Sequence, residues 1–361
     1  MGGNALKIAQ IERCDNNKYL SLSNEIILKL NNYYIKTHLI KSYKNKESYG
    51  DIDIICCNNN NINYKSIIEN LFKPTEIYHN GDVFSFDYKK TQIDLIISSE
   101  NNFETSINYF NYELGNFIGR IAAAMGFRYG HYGLKFQYRH EDGGKIYEKI
   151  ISQDIDKILD FLGFDVKKYH EGFIELKDIF DFVINSYYFN PRIFDYNKLN
   201  HQNRTRNKKR KNYTAFLEYI KTHHQKENTN PAIDINYTVE PNYDGSYEYL
   251  IKNRDKYLKK ADIYFNINLT PQIEEWKKEI EGDKLISAKF NGNLIMAEMP
   301  ELKGKELGNL ITKFKTYVTE KLEYKNYKIW IEKNDEKTIM TIFKIIYKLY
   351  QAEKEYKNKN L

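Results

Sequence analysis

Residues 50–57 read GDIDIICC, and this stretch decides the fold of the first part of the chain. Polar and apolar residues alternate from Asp51 to Ile54 and an apolar run follows, which is typical of a β-strand with an end at the surface. Because side chains alternate along a strand, Asp51 and Asp53 share one face, about 6–7 Å apart. Two carboxylates aimed at one small volume repel each other unless a cation lies between them. The stretch therefore predicts a strand that carries a divalent metal site, with Mg²⁺ as the ion and Mn²⁺ as a substitute.

A third carboxylate follows in a predicted hairpin. Residues 82–88 and 92–97 have the pattern of two strands joined by a short turn, most simply an antiparallel pair. If the second of these strands neighbours the first Asp-bearing strand, a spacing of about 5 Å brings Asp94 to the other two aspartates. This geometry suits two metal ions roughly 3.5–4 Å apart. Two acids on the solvent face of an edge strand are the alternative interpretation.

The composition indicates a globular protein of two or three units. The chain has 361 residues, of which 41% are hydrophobic and 29% are charged. No apolar run approaches the roughly 20 residues of a membrane span, and the N-terminus lacks the apolar middle of a secretory signal. Three cysteines, two of them adjacent, favour a reducing compartment. We therefore expect an intracellular protein of the cytoplasm or nucleus, not secreted and with no membrane partner.

Apolar spacing, glycines and prolines predict the other elements. One or two short strands are expected at 127–139 and a strand pair at 285–298, around the turn Asn291-Gly292-Asn293. The predicted helices are 24–35, 64–72, 105–126, 154–162, 175–188, 212–224, 246–260, 271–280, 303–319 and 335–356.

Residues 42–54, SYKNKESYGDIDI, resemble the motif of the DNA polymerase beta-like nucleotidyltransferase superfamily. In that motif a Gly-Ser pair precedes Gly-Asp-hydrophobic-Asp-hydrophobic. The resemblance is closest to the X-family DNA polymerases, whose motif runs Glu-Ser-x-Gly-Asp-Met-Asp-Val. Lys41 replaces the glycine before Ser42, and the spacer to Asp51 is slightly short. The resemblance implies that Asp51 and Asp53 bind both metal ions, while Asp94 binds the catalytic ion and helps to deprotonate the attacking hydroxyl.

A second match lies downstream, where the X-family polymerases carry a Tyr-Phe-rich segment and then a helix with Asn, Arg and small residues. This chain has Tyr109-Phe110, Asn116, Arg120 and Ala122-Ala123-Ala124 in that order. By resemblance, Asn116 contacts the incoming base or sugar, and Arg120 contacts the nascent pair or the template strand. The i, i+4 spacing independently puts both on one helix face, and a buried aromatic and alanine-rich helix is the alternative. The predicted nucleotide-binding residues are Ser42, Lys44, Gly50, Asn116 and Arg120, and Lys46 is a further donor for a triphosphate.

Residues 201–211, HQNRTRNKKRK, are rich in basic side chains, and the aromatic residues Tyr213 and Phe216 follow them. Such a run suits contacts with a phosphate backbone, and an aromatic neighbour suits base stacking. A solvated helix face is the alternative. The predicted nucleic-acid-binding residues are Arg204, Arg206, Lys209, Arg210 and Tyr213.

Other chemistries find less support. The chain has neither a P-loop nor a dinucleotide-binding glycine motif, and its cysteines and histidines do not have zinc-site spacing. Residues 289–314 resemble a tail segment of template-independent tRNA nucleotidyltransferases and poly(A) polymerases, in which a glycine-bearing turn opens a helix.

The predicted fold class is α/β: a nucleotidyltransferase palm, made of a mixed sheet with helices, then a mainly helical domain and a mixed α+β C-terminal domain. The predicted divisions are an N-terminal extension at 1–20, the palm at 21–145, the helical domain with the basic segment at 146–225, a linker at 226–241 and the C-terminal domain at 242–361.

The expected function is metal-dependent transfer of a nucleotide from a nucleoside triphosphate to a 3′-hydroxyl, with release of pyrophosphate. The resemblance favours an X-family-like DNA polymerase that fills gaps in repair, with gapped DNA as partner. The alternatives are an RNA nucleotidyltransferase that adds CCA or a poly(A) tail, an inactive nucleic-acid-binding module, and a small-molecule nucleotidyltransferase of the antibiotic-modifying or toxin type.

Overall fold

The computed structural model describes residues 5–57, 62–139, 146–227, 247–322 and 326–359. The chain is a mixed α/β protein that divides into two compact units, Met1–Asn268 and Leu269–Leu361. The strands are β1 (Cys14–Asp15), β2 (Lys36–Leu39), β3 (Ser48–Tyr49), β4 (Asp51–Cys57), β5 (Ile77–Asn80), β6 (Val83–Tyr88), β7 (Thr91–Ile97), β8 (Phe127–Gly130), β9 (Gly133–Arg139) and β10 (Ile146–Ser152).

The helices of the first unit are α1 (Asn16–Asn31), α2 (Tyr64–Phe72), α3 (Phe103–Phe110), α4 (Gly115–Ala124), α5 (Ile155–Phe161), α6 (Val166–Glu171), α7 (Leu176–Ile184), α8 (His201–Lys208), α9 (Lys211–Glu227) and α10 (Tyr247–Tyr264). The second unit has α11 (Thr270–Lys289), α12 (Gly292–Glu298), α13 (Gly304–Glu320), α14 (Tyr327–Lys333) and α15 (Glu336–Lys359).

A five-stranded mixed sheet organises the first unit, with the strand order β2-β4-β7-β6-β5. The predicted hairpin is confirmed, because β6 and β7 pair antiparallel from Val83 opposite Ile96 to Tyr88 opposite Thr91. β7 also pairs with β4, and this pair is parallel. The two Asp-bearing strands are therefore direct neighbours in the sheet.

Both faces of this sheet are covered by helices. Ile52, Ile54 and Cys56 of β4 belong to the core cluster that contains buried residues of α1 and α2. The alternate residues Ile55 and Cys57 pack on the other face, with side chains of α3. Since side chains alternate along β4, its two aspartates share the face that packs against α3.

The prediction of a separate N-terminal extension at 1–20 was wrong, because residues 5–20 belong to this unit. β1 pairs antiparallel with β3, with Cys14 opposite Tyr49 and Asp15 opposite Ser48. Helix α1 begins at Asn16, because the Asp15 side chain accepts a hydrogen bond from Lys18 N and caps it. The first residues of α1 are polar, so the apolar spacing predicted a helix only at 24–35.

The helix expected at 105–126 is broken in the middle. Helix α3 ends at Phe110 and α4 begins at Gly115, with a 3₁₀ turn at 111–113 between them. Tyr112 and Glu113 both have positive φ, at 59° and 58°, a conformation that costs an L-residue about 1–2 kcal/mol. A Cβ at Gly115 would approach Tyr109 O to 2.2 Å, so the return into α4 requires glycine there.

A second, three-stranded sheet crosses the predicted boundary at 145/146. Its order is β10-β9-β8, and β10 pairs antiparallel with β9. Residues 140–145 lie outside the described residues. The predicted palm and helical domain thus share one compact unit, which continues to Asn268. Residues 226 and 227 of the predicted linker at 226–241 end α9, and the others lie outside the described residues.

The second unit corrects the predicted α+β C-terminal domain, because its described residues form helices and no strands. The segment predicted as a strand pair at 285–298 is the end of α11 followed by α12. The reason is Asn291, whose side chain accepts a hydrogen bond from Leu294 N at 3.0 Å and caps α12. An Asn-Gly step that predicts a hairpin turn acts here as a helix start.

Two findings bear on the expected compartment. The three cysteines are free and buried. Within the described ranges, no helix combines the length and apolar character needed to cross a membrane.

Candidate metal and nucleotide site

Strand pairing brings three aspartates together. In the parallel pair of β4 and β7, Asp53 lies opposite Asp94 and Asp51 lies opposite Gln92. One carboxylate oxygen from each of Asp51, Asp53 and Asp94 lies within 4.8 Å of the others. The expectation that Asp94 joins the other two carboxylates is therefore confirmed.

The electrostatics of this triad are those of crowded negative charge. Burial raises the pKa of Asp53 well above its ordinary value, and the neighbouring Asp51 and Asp94 raise it further. Burial and Asp51 raise the pKa of Asp94 to about 6, against hydrogen bonds from Ser85 and Gln92 that favour its charged form. The folded protein therefore holds these carboxylates at an electrostatic cost that a bound cation offsets.

A fourth carboxylate borders the triad. The 111–113 turn places Glu113 beside Asp51 and Asp53 at the edge of two cavities, and its charge adds to the rise in the pKa of Asp53. Glu113 Oε2 accepts a hydrogen bond from Asn212 Nδ2 at 2.8 Å, and its Oε1 lies 3.7 Å from Lys46 Nζ. The broken helix thus adds an acidic group that periodicity did not predict.

The first cavity, which we call the loop cavity, has a volume of about 820 Å³. Its wall includes the loop at 41–50, with the predicted Ser42 and Gly50, and its floor includes Asp51 and Asp53. Lys46 lines it and lies over the Tyr49 ring, 4.9 Å from the centroid. Hydroxyl, ammonium and carboxylate groups therefore line one cavity, a combination that suits binding of a metal-bound polyphosphate.

The loop is fixed to the broken helix. Tyr112 N donates to Lys41 O at 2.7 Å, and Lys41 N donates to Asn111 Oδ1 at 3.0 Å. Lys44, the other predicted donor, is not among the residues that line either cavity, and its backbone N–H binds Phe173 O at 3.0 Å. Of the two lysines predicted as donors for a triphosphate, Lys46 lines the loop cavity and Lys44 does not.

The second cavity, the helix cavity, has a volume of about 950 Å³ and shares Asp51, Asp53 and Glu113 with the loop cavity. Another part of its lining, the basic wall, comes from α8 and the residues after it. The predicted residues that line it are Asn116, Arg206, Lys209 and Arg210. The helix cavity therefore has an acidic floor and a basic wall.

Arg210 of this wall is partly desolvated. Burial lowers the pKa of Arg210, as does the charge of Arg206, while Tyr109 and Glu113 raise it. Asn116 Nδ2 donates to Asn207 Oδ1 at 3.2 Å, which links α4 to α8 at the rim.

Two predicted arginines take structural positions instead. Arg120 is 8% exposed, and its Nε and Nη2 donate to Ile193 O at 3.1 and 2.8 Å. Arg204 Nη2 donates to Leu199 O at 2.9 Å. Neither arginine lines the two cavities. Backbone carbonyl oxygens accept the hydrogen bonds of these two arginines, which the sequence analysis predicted to contact nucleotide or phosphate.

Tyr213 corrects the stacking prediction. Its side chain is 1% exposed, its ring is parallel to that of Phe117 at 6.0 Å, and its hydroxyl donates to Phe194 O at 2.6 Å. A ring that is enclosed in this way cannot stack on a nucleobase. Tyr213 is buried because it lies on the apolar face of α9. Its proximity in sequence to basic residues does not place it at the surface.

Sequence reasoning missed Glu113 and Asn212. A glutamate inside an apparent helix gives no signal that the backbone reverses there. Asn212 stands next to the basic segment, but only the fold brings it to Glu113.

The donor set of the triad fits Mg²⁺. Three carboxylates offer the hard oxygen ligands that this ion takes in proteins, and Mg²⁺ keeps several waters in addition. Their spacing within 4.8 Å suits a shared ion.

No protein-family model matches this chain, and no curated protein matches it.

Proposed function

We propose that the protein is a metal-dependent nucleotidyltransferase. In this proposal, a nucleotide passes from a nucleoside triphosphate to the 3′-hydroxyl of a nucleic acid, and the acceptor is gapped DNA, as for an X-family-like repair polymerase with a palm-like sheet. The observation that carries the proposal is the parallel pairing of β4 and β7, which gathers Asp51, Asp53 and Asp94.

The two cavities suggest how the substrates divide. The triphosphate lies in the loop cavity, where Ser42 and Lys46 face the carboxylates. The acceptor strand approaches through the helix cavity, where Arg206, Lys209 and Arg210 neutralise phosphates. Both substrates then meet at the aspartates that the cavities share.

The reaction forms a bond between the acceptor oxygen and the α-phosphorus, and it breaks the bond from that phosphorus to the oxygen that leaves with pyrophosphate. The acceptor proton passes to Asp94, whose carboxylate lies within 4.8 Å of those of Asp51 and Asp53. Bound Mg²⁺ supplies a lower pKa for the attacking hydroxyl and charge stabilisation for the leaving pyrophosphate. Asp51 and Asp53 hold the ion and orient the triphosphate.

The test is incorporation of labelled nucleotide by the full chain with Mg²⁺. Gapped DNA, tRNA and a reaction without polymer are compared, and Asp82→Asn serves as a matched control because it makes the same change at an exposed position before β6. We expect templated extension of gapped DNA, lost in Asp53→Asn and retained in Asp82→Asn. Untemplated addition to tRNA, or transfer only without polymer, rejects the DNA acceptor, and equal activity of Asp53→Asn and wild type rejects the mechanism.

A further inference from the structure

Gln92 connects the N-terminal segment to the third aspartate. It lies in β7, opposite Asp51 of β4, and is 2% exposed. Its Nε2 donates to both carboxylate oxygens of Asp94, at 2.9 and 3.1 Å. Its Oε1 accepts a hydrogen bond from Ala5 N at 3.0 Å. One buried amide therefore lies between the backbone of Ala5 and the carboxylate of Asp94.

The Ala5 contact decides which way this amide points. A backbone N–H can only donate, so Gln92 must present its oxygen to Ala5 and its NH₂ to Asp94. The reversed amide would face Ala5 N–H with NH₂ and would turn its oxygen toward a carboxylate. A buried polar group without a partner costs about 1–3 kcal/mol. The N-terminal backbone thus selects the orientation that supports a charged Asp94.

The segment that carries Ala5 is anchored by a carboxylate of its own. Glu76 accepts hydrogen bonds from the backbone N–H groups of Lys7, Ile8 and Ala9, at distances from 2.7 to 3.0 Å. These bonds hold the pKa of Glu76 below its ordinary value. Among the described residues, Glu76 makes no hydrogen bond to Gln92 or to the triad. It therefore acts on them only through the position of the segment.

We propose that Gln92 is a positioning residue for Asp94 and that residues 5–9, held by Glu76, form the outer support of the metal site. This inference rests on the proposed function, because it assigns the support a purpose only if the triad binds metal. Groups that orient a metal ligand from outside typically change metal affinity by 10–100-fold when they are removed.

The test measures Mn²⁺ affinity by the electron paramagnetic resonance signal of free Mn²⁺, with the full chain and without nucleotide. We expect Gln92→Leu to weaken affinity roughly tenfold or more and Glu76→Ala to weaken it less. Glu12→Ala is the matched control, because Glu12 lies just after the segment and its side chain pairs with Lys90 Nζ at the surface. This control should bind Mn²⁺ as wild type does.

A double-mutant cycle separates positioning from general stability. If Glu76 acts through Gln92, Glu76→Ala causes no further loss of affinity in the Gln92→Leu background. Where Gln92→Leu fails to fold, Ala5→Pro, which removes the N–H donor and leaves Gln92 itself intact, takes its place in the cycle. Additive losses overturn the role of the segment.

The two levels of the proposal fail differently. If Asp53→Asn abolishes Mn²⁺ binding while Gln92→Leu and Ala5→Pro bind as tightly as wild type, the positioning role is wrong and the metal site stands. If the wild type does not bind Mn²⁺, the proposed metal site fails and the positioning role fails with it.

Discussion

Asp53 and Asp94 lie directly opposite each other on the neighbouring parallel strands β4 and β7, so two half-buried carboxylates face the same space. Burial and the neighbouring carboxylates make it unfavourable for either group to carry a negative charge. This arrangement is unfavourable for a metal-free protein and favourable for one that binds a cation. Stability and metal binding should therefore respond to substitution in opposite directions.

The first prediction concerns Asp53→Asn in metal-free buffer. Removing one negative charge from the triad should raise the free energy of unfolding by on the order of 1–3 kcal/mol. Mg²⁺ at 10–100 times its dissociation constant should stabilise wild type by about 1–3 kcal/mol and leave the variant unchanged. Urea denaturation with and without Mg²⁺ measures both effects. A variant that is less stable than wild type without metal contradicts the repulsion argument.

The second prediction concerns the basic wall of the helix cavity. Arg206→Ala and Lys209→Ala should each reduce the slope of log K against log salt by about 1 for single-stranded or gapped DNA. Tyr213→Phe should leave DNA affinity unchanged, because that ring is buried, and should cost about 1–2 kcal/mol of stability by removing the bond to Phe194 O. Fluorescence anisotropy across a salt series gives the slopes. A large affinity loss in Tyr213→Phe restores the stacking role.

The third prediction uses the positive φ of Glu113. Glu113→Ala and Glu113→Gly lose the same contacts with Asn212 and Lys46, so their difference reports the backbone alone. Because φ is 58° there, the glycine variant should be more stable than the alanine variant by about 1 kcal/mol. In an unbroken helix the order would be reversed. Thermal denaturation of the pair decides between the two conformations.

The fourth prediction distinguishes a helix from a hairpin at residue 292. Gly292 does not have positive φ, and a Cβ there would lie 3.6 Å from Leu307 Cδ2, an ordinary contact. Gly292→Ala should therefore stabilise the protein by about 0.5–1 kcal/mol through α12. The hairpin that the Asn-Gly step predicted would need positive φ and would be destabilised. Chemical denaturation followed by far-UV circular dichroism measures the sign.

The fifth prediction is a pH dependence that arises from Lys260. Its Nζ donates to Phe161 O at 2.8 Å and to Tyr188 Oη at 2.5 Å, and burial lowers its pKa to about 8. The unfolded chain has the ordinary value of 10.5, so between these values it binds more protons than the folded protein does. Stability from this group should therefore rise by about 1–2 kcal/mol between pH 7 and 9.5.

Lys260→Met should lack that rise, since it has no proton to lose. Urea denaturation of wild type and variant at both pH values gives the difference. A constant difference between the two proteins shows that Lys260 does not titrate in this range.

The sequence predicted the parts of the site that depend on local alternation. Residues 51–54 alternate and an apolar run follows, and residues 82–88 and 92–97 have strand patterns on either side of a short turn, so the strands, their hairpin and the shared face of Asp51 and Asp53 could be predicted. The position of Asp94 depended on which strands are neighbours, and the structure supplied the parallel pairing. The rest of the site depends on tertiary contacts that no local pattern encodes.

Two residues show why local patterns fail. Tyr213 follows a basic run, yet helical periodicity directs it into the core with Phe117. Glu113 lies in a segment with helical composition, but the bonds of its neighbours to Lys41 hold the backbone in a reversed turn. In both cases contacts with residues distant in sequence override what the local sequence favours.

The parallel pairing of β4 and β7 also makes the triad depend on residues far from it. The chain between these strands passes through α2, β5 and β6, so the three aspartates lie together only when this whole crossover is docked. A substitution deep in the crossover that opens it locally would separate Asp94 from Asp51 and Asp53, although it alters no carboxylate.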